Sequence, residues 1–321
     1  MKLSLPIKLG ITVIVIFGLL MLGMFLWKPM KVRYYAAKLR SDDIKVRQHA
    51  AKELLNLDRE KVFNYYTDRY DPKDVKKRMG VVDELCACGD KGKAVMKEIF
   101  RNWCYSQQVK IPAGTLALAN GSKVEIKSLW MDTYEVTIEK FAVYYLCTGG
   151  LESANKAVSK TILDVPFSSA AYPSRLYPVA HLSWQDAKAY TDWLGMRLPT
   201  IHEWEYAARA GSTGHYCFGN NKSLLGEYAW CKYNSDGILH PVGQKEPNKW
   251  GLHDVHGNAW EICVLIISGD AVMLKGDDIN GDTHTSAFGC AHLPVPKSIT
   301  PGRTVGFRCV RDIKYIMNCE F

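Results

Sequence analysis

The sequence predicts an irregular α+β domain preceded by a transmembrane helix and a small all-α segment. Three observations carry this fold class. Residues 9–27 contain no charged side chain. Residues 34–104 place apolar side chains at helical period. From residue 110 the pattern turns to short strand alternation and two capped helices, then to a long stretch rich in Gly, Pro, Asn and aromatics. The 321 residues suffice for about two domains of roughly 150 residues each. We divide the chain into an anchor over 1–33, a helical segment over 34–105 and a domain over 106–321.

The first element is "LGITVIVIFGLLMLGMFLW". A helix of this length approaches the ~30 Å of bilayer hydrocarbon. Lys8 and Lys28 bracket it, and Trp27 stands where an interfacial aromatic belongs. A cleaved signal peptide would have a shorter apolar core and a small-x-small cleavage site. "FLWKPMK" is no such site, so the run is read as a single-pass membrane anchor. Lys28, Lys31, Arg33, Lys38 and Arg40 follow it, against Lys2 and Lys8 before it. That asymmetry puts the C-terminal bulk on the cytoplasmic side, and ten cysteines without a regular framework agree. The net charge of +8 lies mostly before residue 110 and is read as membrane-proximal. No basic stripe interleaved with aromatics is present, so nucleic acid is not implied.

In the second segment "VRQHAAKELLNLD" puts Val46, Ala50, Leu54 and Leu55 on a helical stripe. "KRMGVVDELCACGD" repeats the layout 31 residues on: Arg47 matches Arg78, Ala50 and Ala51 match Val81 and Val82, and Glu53 matches Glu84. The period suggests a HEAT-like stacked pair; an ordinary helical hairpin is the alternative. Cys86 and Cys88 lack further ligands nearby and fall short of a zinc set.

In the domain, "VEIKSLWMDTYEVT" reads as a strand pair and "IEKFAVYYL" as a helix. Ser183 caps a helix whose Trp184, Ala187, Tyr190 and Leu194 share a face. Thr200 caps the next, with Glu203 at capping-box spacing. Residues 211–313 show little helix signal and need loop hydrogen bonds, ions or aromatic packing to hold them.

Four segments stand in order along this region: "MDTYEVT", "PVAHLSWQDAKAYTDWLGMRLPTIHEWEYAARAG", "HPVGQKEPNKWGLHDVHGNAWE" and "GFRCVRD". Together they resemble the formylglycine-generating enzyme (sulfatase-modifying factor) family over about residues 110–313. The resemblance implies a variant of the C-type lectin fold with little regular secondary structure. It also implies a calcium loop, with ligands from the Asp254 and Glu261 carboxylates and the Gly257 and Ala259 carbonyls. Calcium accepts such mixed oxygen sets and tolerates irregular loops. The alternative is a turn anchored by Trp260 with no ion. A second calcium loop of some relatives would fall at "AWCKYNSDG", where Trp230 and Cys231 are not ligands, and it is not carried over.

The family's oxidase binds Cu(I) through two cysteines, as soft thiolates require. Anchored on Lys275 and Gly276, those positions fall here on Gly281 and Ser286, neither a thiol. Copper is therefore not expected. Cys290 and Cys309 fit positions that form disulfides in the family, but the partner positions are Thr191 and Ala208. A Cys290/Cys263 copper pair is left as a remote alternative. Asp277, Asp278, Asp282 and His284 lie in the segment that replaces the catalytic one. They are read as a divergent binding surface, with a metal or general-base role for His284 as the sharper alternative.

The sequence thus points to a membrane-anchored, non-catalytic binding or scaffold module with structural calcium. Its partner would be a protein, peptide or glycan, met in part by aromatics at Tyr216, Phe218, Trp230 and Tyr233. The competing reading is a divergent formylglycine-generating oxidase. A cytoplasmic site would see little calcium, so the calcium loop and the flanking charges pull in opposite directions.

Overall fold

A computed structural model describes residues 5–71, 73–148, 175–180, 182–265, 271–280, 290–291 and 304–313. The chain divides into two compact units, Met1–Ile99 and Phe100–Phe321.

In the first unit α1 (Leu5–Lys38) contains the whole uncharged run. Many of its side chains up to Phe25 are outside the described set. Among the described residues no helix is long and apolar enough to cross a membrane, so the anchor remains an expectation. Val15, Ile16, Phe17, Met21, Met24 and Trp27 are exposed.

Helices α2 (Ile44–Leu57), α3 (Arg59–Arg69) and α4 (Val75–Cys86) follow, each started by an aspartate, Asp43, Asp58 or Asp74, whose side chain accepts a first-turn N–H. The apolar positions matched across 31 residues are buried in both copies: Ala50 and Ala51 in α2, Val81 and Val82 in α4. The matched polar positions diverge. Glu84 is buried and takes Arg47 at 2.7 Å and the Tyr66 hydroxyl at 2.9 Å, whereas Glu53 is half-buried. Helix α5 (Asp90–Ser106) spans the point of division between the units.

Among the described residues the second unit holds three sheets. Strand β4 (Leu129–Asp132) lies between β1 (Gln108–Ile111) and β9 (Val310–Asp312), all antiparallel. Strands β2 (Gly114–Ala117) and β3 (Lys123–Ile126) form a hairpin. The expected β3–β4 pair is therefore wrong. Leu129, Met131 and Asp132 are buried, and a strand carrying that much buried surface sits in the middle of a sheet. The third sheet runs β7 (Cys290–Ala291), β6 (Ala271–Lys275), β5 (Trp260–Leu265), β8 (Val305–Gly306). It gives residues 211–313 more regular structure than the sequence suggested. Strand Trp260–Leu265 buries Glu261, Ile262 and Cys263 in succession, so it shows no alternation by which to recognise it.

Helices α6 (Ile138–Thr148), α7 (Trp184–Leu194) and α8 (Ile201–Arg209) belong to the same unit, as does a single helical turn at Leu225–Tyr228. Ser183 and Thr200 cap α7 and α8, each in a reciprocal capping box with Asp186 and Glu203. Gly195 ends α7 in the left-handed region, at φ 71°. Helix α8 buries Ile201, Trp204, Ala207 and Ala208 in a core with Ile111, Met131, Leu252, Cys263 and Val310. Trp204 reaches from this core to the loop below.

Candidate cation loop

The loop 254–261 is fixed before any ligand is considered. Asp254 and Asn258 both hold left-handed backbone, at φ 59° and 68°. Such conformations cost free energy in non-glycine residues and persist only where the surroundings enforce them. Here the enforcement is visible. The Asn258 N–H donates to the Trp230 carbonyl at 2.9 Å and the Trp260 N–H to the Thr304 carbonyl at 2.8 Å. In a trans peptide the carbonyl points opposite its N–H. The carbonyls of Gly257 and Ala259, which share those two peptides, are thereby turned away from Trp230 and Thr304. At Gly257 a Cβ would fall 2.1 Å from the Trp230 oxygen, so only glycine fits.

Glu135 closes the loop from the other side. Its Oε1 accepts the Ala259 N–H and its Oε2 the Asn258 Nδ2, both at 3.0 Å. The Asn258 Oδ1 accepts the His240 N–H at 3.0 Å. The "YEVT" and "HGNAWE" motifs, over a hundred residues apart, are therefore one hydrogen-bonded unit.

Asp254 and Glu261 fare differently. The Asp254 Oδ2 accepts the Gly243 N–H at 2.8 Å, while its buried Oδ1 has no protein partner. Glu261 is occupied. Its Oε2 takes the Arg308 Nε at 2.7 Å and the Trp204 Nε1 at 2.8 Å, and its Oε1 takes the Arg308 Nη2 at 2.7 Å. The rest of the Arg308 fork donates to the carbonyls of Asp132, Thr133 and His253. Glu261 was expected as a free ligand. It is instead the counter-ion of a fully buried arginine, with only one lone pair left on Oε1.

Three buried carboxylates, Glu135, Asp254 and Glu261, thus belong to this loop and its clamp, and Glu261 pairs with the Arg308 guanidinium. Burial, then the charges of Asp254 and Glu261, pushes the Glu135 carboxyl well above the usual carboxylate range. Burial raises Asp254 as well, whereas the neighbouring acids hold Arg308 firmly charged against its burial. The buried Asp254 Oδ1 without a protein partner, together with the loop carbonyls, is an oxygen donor set that fits a hard cation. Among the described residues no three His, Cys, Asp or Glu side chains are arranged to hold an ion. A cation here therefore depends on carbonyls as much as carboxylates.

The remaining candidates scatter. Asp278 is buried and accepts from Thr304 Oγ1 at 3.0 Å and the Asn280 N–H at 3.0 Å, so it stabilises a turn and faces no partner. Asp277 is half-buried and accepts the Asp278 N–H at 2.9 Å. Gly281, Asp282, His284 and Ser286 lie outside the described residues. Of the four aromatics, Tyr216 is buried, Phe218 stacks between it and Tyr228, and Trp230 stacks on His240 at 3.7 Å; only Tyr233 is exposed. Registers Cys263–Met273 and Lys275–Cys290 put Cys263 and Cys290 two strands apart. At about 4.8 Å per strand that is roughly 10 Å, too far to share one copper ion. Glu135 and Arg308 were missed as site residues although both stand inside the quoted motifs. The sequence shows that these residues stand in the motifs, not that their side chains converge.

The loop is thus clamped by "YEVT" on one side and "GFR" on the other. A family model described as the sulfatase-modifying factor enzyme 1-like domain matches residues 93–313, and the chain belongs to that family. Among its relatives is a formylglycine-generating enzyme of Streptomyces coelicolor, 30% identical over 279 residues, which cover 64% of this chain and 89% of the relative. That of Mycobacterium tuberculosis is 42% identical over 172 residues, 42% of this chain and 58% of the relative. An inactive C-alpha-formylglycine-generating enzyme 2 of Bos taurus is 44% identical over 149 residues, 41% and 50%. The chain spans about half the length of the latter two. Among solved structures, Treponema denticola variable protein 1 aligns with a TM-score of 0.48 at 19% identity, over 63% of this chain and 94% of that one.

Proposed function

We propose that this chain is a non-catalytic member of the family, a binding or scaffold module built on a cation-stabilised loop. One observation carries the reading: among the described side chains of the domain, no thiol is exposed to a substrate. The positions that the resemblance assigns to the copper cysteines are Gly281 and Ser286. The cysteines of the second unit whose side chains are described, at 104, 147, 217, 231, 263 and 309, are buried. An oxidase of this kind has to present thiolates both to Cu(I) and to an incoming cysteine. The inactive relative in Bos taurus gives the reading a precedent within the family.

Calcium is the proposed structural ion, bound by Asp254 with the Gly257 and Ala259 carbonyls and at most one oxygen of Glu261. It gives the buried Asp254 Oδ1 a partner. Helix α1 is the proposed membrane tether, supported by the exposed apolar residues between Val15 and Trp27 and the basic residues after it. The flanking charges favour a cytoplasmic domain. The partner is a protein, peptide or glycan, and nucleic acid is not expected.

The second reading, a formylglycine-generating oxidase, is favoured by relatives that bear that name. Cu(I) titration of the purified protein, with mass analysis of a cysteine-containing peptide under oxygen, separates the two. The scaffold reading expects no tight Cu(I) site and an unchanged peptide. Tight Cu(I) with conversion of cysteine to formylglycine overturns it.

A further inference from the structure

The first unit carries an open cleft of about 610 Å³, within the range of clefts that hold ligands. It lies between the start of α2, the end of α3 and the first half of α4. Gly80, in the middle of α4, forms part of its wall. A helix interior disfavours glycine, which loses more backbone freedom than alanine and packs nothing. Nothing in the fold asks for it here. Gly80 does not hold left-handed backbone, and a Cβ built on it would meet no atom within 4 Å. The helix thus forgoes a side chain and leaves the cleft open down to its own backbone.

The charges around the cleft divide into committed and available groups. The buried Glu84 accepts the Arg47 Nη2 at 2.7 Å and the Tyr66 hydroxyl at 2.9 Å. Arg47 Nη1 donates to the Ser41 and Asp42 carbonyls at 2.7 and 2.9 Å. Asp71 accepts the Lys73 N–H at 2.9 Å. Facing solvent are Arg69, Lys76 and Lys77, against Asp68. One N–H of the Arg69 fork donates to the Tyr65 hydroxyl at 2.9 Å. Lys77 reaches Asp71 at 3.4 Å and Asp74 at 3.7 Å, long exposed pairs that contribute little. Lys76 makes no ion pair among the described residues. Three cations against one acid favour an anionic ligand. An open cleft covers too little of a small ion to hold it, so a chain running past the cleft fits it better. Ile44, 45% exposed at the rim, offers such a chain an apolar contact.

We propose that this cleft is a docking site for an acidic peptide segment of a partner protein, its carboxylates against Arg69, Lys76 and Lys77 and its backbone over Gly80. The site lies within the first unit and depends neither on the cation loop nor on the catalytic status of the domain. The charged contacts are at an exposed rim, so salt weakens them. Gly80 sets how closely the peptide approaches.

The test is fluorescence anisotropy of the full chain in mild detergent. The probe is a fluorescein-labelled peptide alternating Leu and Glu, compared with its counterpart carrying Gln for Glu. The expected result is salt-sensitive binding of the Glu peptide alone. Gly80→Gln, which both the open space and the helix accept, should weaken that binding about tenfold or more without lowering Tm. Lys76→Glu, at an exposed side chain, should weaken it several-fold. No binding of the Glu peptide, equal binding of the Gln peptide, or undiminished binding in either variant overturns the proposal. So does displacement of the peptide by an equal concentration of inorganic phosphate, which would make the cleft a site for a small anion.

Discussion

Replacing Arg308 with methionine tests the account of the loop most directly. The guanidinium and the Glu261 carboxylate are 0% and 1% exposed, so solvent does not screen them and no surface discount applies. Methionine roughly fills the space but leaves Glu261 charged in the interior and three carbonyls without donors. Breaking a buried pair in this way costs about 3–5 kcal/mol. For a unit of this size each kcal/mol moves Tm by about 2–4 °C, so Tm should fall by roughly 6–20 °C. Arg308→Lys keeps the charge and loses the two-pronged contact, and should fall between wild type and Arg308→Met. The assay is thermal unfolding followed by near-ultraviolet circular dichroism, which reads the tryptophans of this core. A loss below about 4 °C for Arg308→Met would mean that Glu261 has another partner, and the assignment of Arg308 as its counter-ion would be wrong.

Two other outcomes follow from the same geometry. Calcium at 100 times its dissociation constant should add about 2.7 kcal/mol of stability, read as a rise in Tm that chelator reverses. Asp254→Ala should abolish that rise, and a full calcium response in the variant would remove Asp254 from the ligand set. Acid should weaken the α7–α8 corner. Burial works against an ionised Glu203, but the Arg197 fork at 2.7 Å and the Thr200 N–H outweigh it and hold its carboxyl below the usual range. A lowered folded value means stability that is complete above the unfolded carboxylate value, about 4.3, and is lost as pH falls through the folded one. Glu203→Gln should flatten this part of the acid unfolding curve, and an unchanged curve would refute the contribution.

Local chemistry in the sequence was enough for some elements. Ser183 and Thr200 announce their helices because capping is settled within four residues, and the stripes of α2 and α4 show because burial on one face repeats at helical period. Gly257 marks a tight turn, since no other residue fits against the Trp230 carbonyl. The sequence also carries the family, because its motifs recur in order. What it could not carry is convergence. That β4 pairs with β1 and β9 and not with β3, that Glu135 clamps Ala259, and that Arg308 takes Glu261 are contacts across 20 to 180 residues, with no local signature. They are decided by which buried charges and N–H groups find each other once water is excluded. The same holds for Asp278, which reads as a surface acid in "KGDD" and is turned inward by Thr304. Composition and spacing select the parts of the loop. Only the tertiary structure decides which carboxylate is left for a cation and which is already spent on an arginine.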